Sequence, residues 1–265
     1  MKTIWVTDIH LEFLDSSGFH RFMRELSASD ADAILISGDI AQASTVERYL
    51  SKMAEILEIP IYFVLGNHDF YHGSISEVRK AMTSLVEGSP YLNWLNVRGP
   101  VILNSTTCLI GHDGWCDGRL GDYFSSTVML NDFLLISELT GLSQQELLHQ
   151  LRSLGDEAAE HFRAVLPVAL ESAAHVVVLT HVPPFRDAAW HDGNYCDSDW
   201  LPFFSCKAVG EILLEAMQDH PDKRMTVLCG HTHGGGESQI LPNLSVLTGP
   251  ACYGAPVIQE IFEWG

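Results

Sequence analysis

Residues 60–69 read PIYFVLGNHD. An apolar run of strand-forming residues ends in Gly66, and an amide, an imidazole and a carboxylate follow without a gap. Three adjacent polar side chains at the end of a buried strand are costly unless something uses them. The same arrangement recurs along the chain. KTIWV (2–6) precedes Asp8-Ile9-His10, and AILIS (33–37) precedes Gly38-Asp39. HVVVL (175–179) precedes His181-Val182-Pro183-Pro184, and TVLC (226–229) precedes Gly230-His231-Thr232-His233. Five apolar runs therefore end in side chains of metal-binding type, and in open α/β sheets sites assemble at the carboxyl ends of strands. Asp8 and His10 are two apart, as are His231 and His233; in extended backbone such pairs point to one side.

Between these runs the apolar period changes. Phe19, Phe22, Met23 and Leu26 fall at helical spacing, as do Val46, Tyr49, Leu50, Met53, Ile56 and Leu57 after Ser44-Thr45, a cap-type pair. Residues 74–86 also read as helix, so the first third is a strand–helix alternation, the mark of a parallel βαβ series. Further strands are expected at 101–103, 107–110, 175–180, 226–229, 239–241, 245–248 and 257–262. Ser143 and Glu146 form a capping-box pattern before a helix running to about Ser172, with an interruption expected near Gly155. Residues 207–218 read as helix. No repeat or linker divides the chain, so one domain, 1–265, is expected, with an insertion at about 113–172 and a lid-like loop at about 183–206.

Composition narrows the function. The chain has 265 residues, 46% of them hydrophobic, and a formal net charge of −19. Such a surface repels polyanions, so broad nucleic-acid binding is not expected. The six cysteines show no CxxC spacing, and no apolar run approaches the ~20 residues of a membrane-spanning helix. A soluble, cytoplasmic protein with reduced cysteines is the expectation.

The ordered series D-x-H, G-D, G-N-H-D, H, G-H-x-H, spread from Asp8 to His233, resembles that of the calcineurin-like metallophosphoesterase superfamily. The resemblance implies a four-layer α/β/β/α sandwich: two mixed sheets flanked by helices, with the helical and loop insertion forming part of a cap. It implies two divalent or trivalent metal ions, from Mn, Fe, Zn, Co or Ni. Asp8, His10 and His233 would hold one, Asn67, His181 and His231 the other, and Asp39 would bridge them. Imidazole, carboxylate and amide oxygen suit such ions, and no thiolate enters the set. Two carboxylates against two divalent ions leave about 2+, enough to hold a phosphoryl group. His68 would face the substrate and protonate the leaving oxygen, and Asp69 would orient His68. The implied reaction is hydrolysis of a phosphomonoester or phosphodiester of a small to medium anionic substrate by a metal-bridging hydroxide. Alternatives are a cyclic-nucleotide or nucleotide phosphodiesterase and, outside catalysis, a protein-binding scaffold of the same fold. The lipid-precursor pyrophosphatases of the superfamily usually carry arginine where His68 stands.

One position departs from the pattern: Gln42 stands where many members have a second Asp or Asn. Four residues are further candidates for substrate contact: His112, Trp115 and Arg119 in the segment after 107–110, and Arg186 in the lid-like loop. The plainer reading of the first three is a turn-rich passage into the insertion. His20, His72, His149, His161, His175 and His220 read as ordinary histidines.

Overall fold

A computed structural model describes residues 1–191 and 193–264. The N-terminal half builds the predicted series: β1 (Lys2–Val6), α1 (Ser16–Ala28), β2 (Ala33–Ser37), α2 (Val46–Leu57), β3 (Ile61–Val64), α3 (Ile75–Glu87) and β4 (Leu92–Trp94). β1 to β4 are parallel neighbours in that order. The helices form because their apolar residues share one face; in α1, Phe19, Phe22, Met23 and Leu26 are all buried. Burial of such side chains contributes roughly 1.5–3 kcal/mol each.

The second sheet uses β5 (Val101–Ile102), β6 (Thr107–His112), β7 (His175–Thr180), β10 (Arg224–Cys229), β11 (Gly236–Leu241) and β12 (Leu244–Thr248). Its order is β11-β12-β10-β7-β6-β5, parallel from β12 to β6 and antiparallel at both edges. β8 (Trp190–His191) and β9 (Asn194–Tyr195) make a small hairpin. The last strand, β13 (Glu260–Glu263), returns antiparallel to β1 in the first sheet. The helices of this half are α4 (Asp132–Leu135), α5 (Gln144–Ser172), α6 (Leu201–Phe204) and α7 (Lys207–Asp219). These are the two mixed sheets flanked by helices that the resemblance implied.

Alternate residues of each strand separate the layers. Trp5, Leu35 and Val64 of the first sheet share one apolar cluster with Leu109, Val177 and Leu228 of the second. Ile4, Ile34 and Phe63, one residue out of phase, belong instead to the cluster containing the apolar faces of α1 and α2. This sandwiching brings the carboxyl ends of β1, β2, β3, β7 and β10 together. Within each sheet the N–H of Asp8 donates to the Gly38 carbonyl at 3.0 Å and that of Gly230 to the His181 carbonyl at 2.9 Å, and His181 Nδ1 reaches across to the Ser37 carbonyl of the other sheet at 2.9 Å.

Three local expectations differ from the structure. α5 is continuous through Gly155 and Pro167; Gly155 marks close packing, since a Cβ there would lie 2.7 Å from Cβ of Asp117. Tertiary packing of the helix overrides the propensity of one glycine. Thr45 makes no side-chain cap to α2, and the strand expected at 257–262 is Glu260–Glu263. The lid-like span 183–206 is largely built in: Ala188, Ala189, Leu201, Phe203 and Cys206 are buried. Asp192, within that span, lies outside the described residues, as does Gly265.

Candidate metal centre

All seven expected metal ligands converge at the joined strand ends. Asp8, His10, Asp39, Asn67, His181 and His231 are buried, and the His233 side chain is 25% exposed. On one side, Nε2 of His10 lies 3.1 Å from Nε2 of His233, which is 3.4 Å from Oδ1 of Asp8. On the other, Oδ1 of Asn67 lies 3.0 Å from Nε2 of His181 and 2.9 Å from Nδ1 of His231. Asp39 stands between the two groups: its Oδ2 is 3.8 Å from His10 Nε2 and its Oδ1 is 3.4 Å from His181 Nε2.

The convergence of the D-x-H and H-x-H pairs has a different cause from the one expected. Neither pair is extended. β1 ends at Val6 and β10 at Cys229, and Asp8, His10, Asp39, His231 and His233 all have φ between 39° and 72°. Left-handed backbone is uncommon outside glycine, though Asp and His tolerate it better than most. Five of the seven expected ligands adopt it, the kind of local strain that clusters at functional sites. Close approach also needs Gly66, where a Cβ would collide with Oδ1 of Asp39 and lie 2.7 Å from Cε1 of His181.

The outer nitrogens fix the rings. His181 Nδ1 donates to the Ser37 carbonyl at 2.9 Å, and His231 Nε2 donates to the Phe203 carbonyl at 2.9 Å. Burial, then the charge of His181, pushes His231 down to about 4, so it is neutral and its Nδ1 is an acceptor. Asn67 uses its amide N–H groups on Oδ1 of Asp132 at 2.8 Å and on the Tyr71 hydroxyl, so its oxygen faces inward. Two acceptors thus face each other at 2.9 Å with no proton between them. A cation held by both would relieve that repulsion, and the donor set fits one. Around the protein groups alone the electrostatics point the same way. Burial opposes charge on Asp39, but His181, His68 and His10 overcome it and hold the carboxyl well below its usual range. Burial would lower His181, yet Asp39 and Asp8 raise it to about 10: the cluster holds positive charge.

Beside this centre is a cavity of about 260 Å³ lined by Asn67, His68, Tyr71, Asp132, His191, Phe204 and Tyr253 among others. His68 stacks on Tyr71, ring centroids 4.1 Å apart, and its Nε2 is 4.0 Å from Oδ2 of Asp39. Met129 to Asp132 bring the insertion into the wall, and His191 and Phe204 bring in the lid-like span. Tyr253, 4.6 Å from the ring of His10 and half exposed, closes one edge.

Two groups of expectations need correcting. Asp69 does not hold the His68 ring. Its buried carboxylate accepts the backbone N–H groups of Ile40 (3.0 Å), Ala41 (2.8 Å) and Gly66 (2.8 Å), tying the Asp39 loop to the end of β3. Burial and the Asp39 charge push it up to about 8 against those donors. The four extra substrate candidates all lie outside the cavity wall. His112 is buried against His161, 5.0 Å between ring centroids. Trp115 is buried 5.5 Å from the Phe70 ring. Arg119 is engaged by Asp117 at 3.0 Å and Asp156 at 2.8 Å, and Arg186 borders a separate groove with Pro184 and Lys207. The backbone carbonyl of Gln42 accepts the N–H groups of Thr45 and Val46 at the start of α2. Sequence reading missed Tyr71, Asp132 and Tyr253. Tyr71 follows directly on Asn67-His68-Asp69-Phe70, but Asp132 is a carboxylate in a polar, aperiodic stretch that gives no local signal.

Comparison with known proteins shows the family and supports the fold. Residues 1–235 match the calcineurin-like phosphoesterase family. A UDP-2,3-diacylglucosamine hydrolase of Shewanella loihica is 34% identical over 99 residues, which cover 32% of this chain and only 40% of that protein. A phosphopantetheinyl hydrolase from Mycobacterium tuberculosis superposes with a TM-score of 0.67 at 13% identity, covering 96% of this chain and 90% of that one. A dimetal phosphatase from Danio rerio superposes with a TM-score of 0.60 at 14% identity, covering 97% and 89%. At those identities the two structures speak for the fold.

Proposed function

This chain belongs to the calcineurin-like phosphoesterase family, and we propose that it is a metal-dependent hydrolase that cleaves a small to medium phosphoester with two metal ions. The observation that carries the reading is Asp39, whose two carboxylate oxygens face two separate groups of buried donors. Asp8, His10 and His233 would hold one ion, Asn67, His181 and His231 the second, and Asp39 both. When bound, such a pair neutralises phosphoryl charge and makes water a nucleophile at neutral pH. His68, on the cavity wall, gives its Nε2 proton to the leaving oxygen as the O–P bond breaks. Tyr71 holds the face of that ring, and the cavity of about 260 Å³ suits a phosphoryl group with a modest alcohol portion.

Five of the six free cysteines are buried, which suits a reducing, cytoplasmic compartment. No helix among the described residues is long and apolar enough to cross a membrane. The ligand geometry favours catalysis over a protein-binding scaffold, which has no use for seven convergent donors.

Elemental analysis of the purified protein, with assays on 4-nitrophenyl mono- and diesters and a UDP-linked sugar, tests the reading. Two metals per chain and turnover of at least one ester are expected. Asp39→Asn should lose metal and activity together. His68→Ala should keep metal and lose roughly 10²–10⁴-fold in kcat on esters with poor leaving groups. A pure protein that binds no metal and stays inert with Mn, Co, Ni or Zn would overturn it.

A further inference from the structure

Glu12 lies two residues after His10, in the single-turn helix Leu11–Phe13. Its side chain is 12% exposed, and among the described residues both carboxylate oxygens are buried without a hydrogen-bond donor. Nδ1 of His10 and Nδ1 of His68 are likewise buried and without a partner. These groups are neighbours. His10 Nδ1 is 3.7 Å from Glu12 Oε1. One ring nitrogen of His10, one of His68 and one oxygen of Glu12 all lie within 4.8 Å of one another. A buried carboxylate lacking donors beside two imidazole nitrogens lacking acceptors is a set that satisfies itself by a small closure. Both rings present Nε2 to the centre, His10 towards His233 at 3.1 Å and His68 towards Asp39 at 4.0 Å. Nδ1 of His10 is then the ring atom that carries a proton and needs an acceptor, and Nδ1 of His68 needs one in the doubly protonated ring that a leaving-group donor requires.

We propose that Glu12 is the positioning residue for His68, accepting its Nδ1 proton on a carboxylate that it shares with His10. The proposal rests on the reading of His68 as the leaving-group donor. When Nε2 of His68 passes its proton to the departing oxygen, the ring becomes neutral with its remaining proton on Nδ1, against Glu12. No other proton is required. Asp69 is spent on three backbone N–H groups and cannot take this task, and Gln42 carries no charge.

Two measurements test this. In protein labelled with ¹⁵N-histidine and loaded with Zn, the His68 Nδ1–H resonance is identified by its loss in His68→Ala. It should persist in Glu12→Gln, whose amide oxygen still accepts, and disappear in Glu12→Ala. In kinetics, Glu12→Ala should lower kcat on alkyl esters by on the order of 10²-fold and leave 4-nitrophenyl ester turnover much less changed. Adding Glu12→Ala to His68→Ala should cost nothing further, because a residue acting through another has no effect once that one is gone. If Glu12→Ala folds poorly, Glu12→Asp, which withdraws the carboxylate by one methylene, should give intermediate values in both measurements. An unchanged Nδ1–H signal in Glu12→Ala, or independent addition of the two substitutions, would overturn the proposal. Wild-type protein that hydrolyses no ester would refute the functional reading instead, and the resonance would still decide whether Glu12 holds His68.

Discussion

An amide offers an oxygen at one end and N–H donors at the other, so Asn67 serves a cation only in one of two orientations. Asp132 and Tyr71 make the choice by taking up the N–H end. Burial raises Asp132 to about 6, while its bonds from Tyr71 and Asn67 favour the ionised form that can accept. Asp132→Ala should therefore free the amide to rotate and weaken metal binding on the Asn67 side by roughly 10–100-fold. Elemental analysis after gel filtration should show one metal per chain where two are expected of the wild type. Retention of both would deny Asp132 this role. Of the polar residues in PIYFVLGNHD, Asn67 and His68 line the cavity, whereas Asp69 turns to the backbone. Which atoms a carboxylate meets depends on another loop folding over it, here Ile40 and Ala41, 28 or more residues away in sequence.

At the level of elements, the short turns after strands matter more than the strands. Gly66 joins β3 to Asn67 with ordinary backbone angles, φ −108°, so its requirement is space rather than conformation. Gly66→Ala should push Asp39 and His181 apart, cost about 1–3 kcal/mol and reduce bound metal. Gly88→Ala is the control, because a Cβ there meets nothing closer than 3.6 Å. Comparable melting temperatures and metal contents for the two variants would contradict the close-approach argument. The amphipathic helices and the Ser143–Glu146 box were legible because their signals are local: the Ser143 N–H donates to Glu146 at 2.9 Å. The three-residue strand β4 and the hairpin β8–β9 were not legible, since two or three residues carry no period and form only by pairing.

Across the whole molecule, the formal net charge is −19, so on the proposed function metal loading rather than surface charge should set anion affinity at the cavity. One contribution to acid stability lies outside the centre. His175, at the far end of β7 from the metal centre, has its Nδ1 accepting from Arg224 at 3.1 Å and its Nε2 bonded to the Thr226 hydroxyl at 2.9 Å. Burial, then the Arg224 charge, lowers it to about 4. Its folded value is depressed, so the unfolded chain binds the proton more readily. Stability present above about pH 6.5 should fall as pH drops towards about 4, by on the order of 2 kcal/mol for this group. Denaturant melts of wild type and His175→Gln between pH 7 and 4.5 should differ in slope, the variant being flatter. Equal slopes would show that His175 titrates normally.

The sequence by itself determined the α/β alternation and the five strand ends at which polar side chains gather, because period and strand-end position are properties of short stretches; the seven expected donors came from the family resemblance. Only the tertiary structure decided what each donor faces. The left-handed turns at Asp8, His10, Asp39, His231 and His233, the Asp132 contact that orients Asn67, the loss of Asp69 to backbone N–H groups and the approach of Glu12 to His68 all arise where segments distant in sequence meet. Those contacts exist because two sheets packed face to face bring distant termini together, and no local pattern encodes which side chain will then be left without a partner.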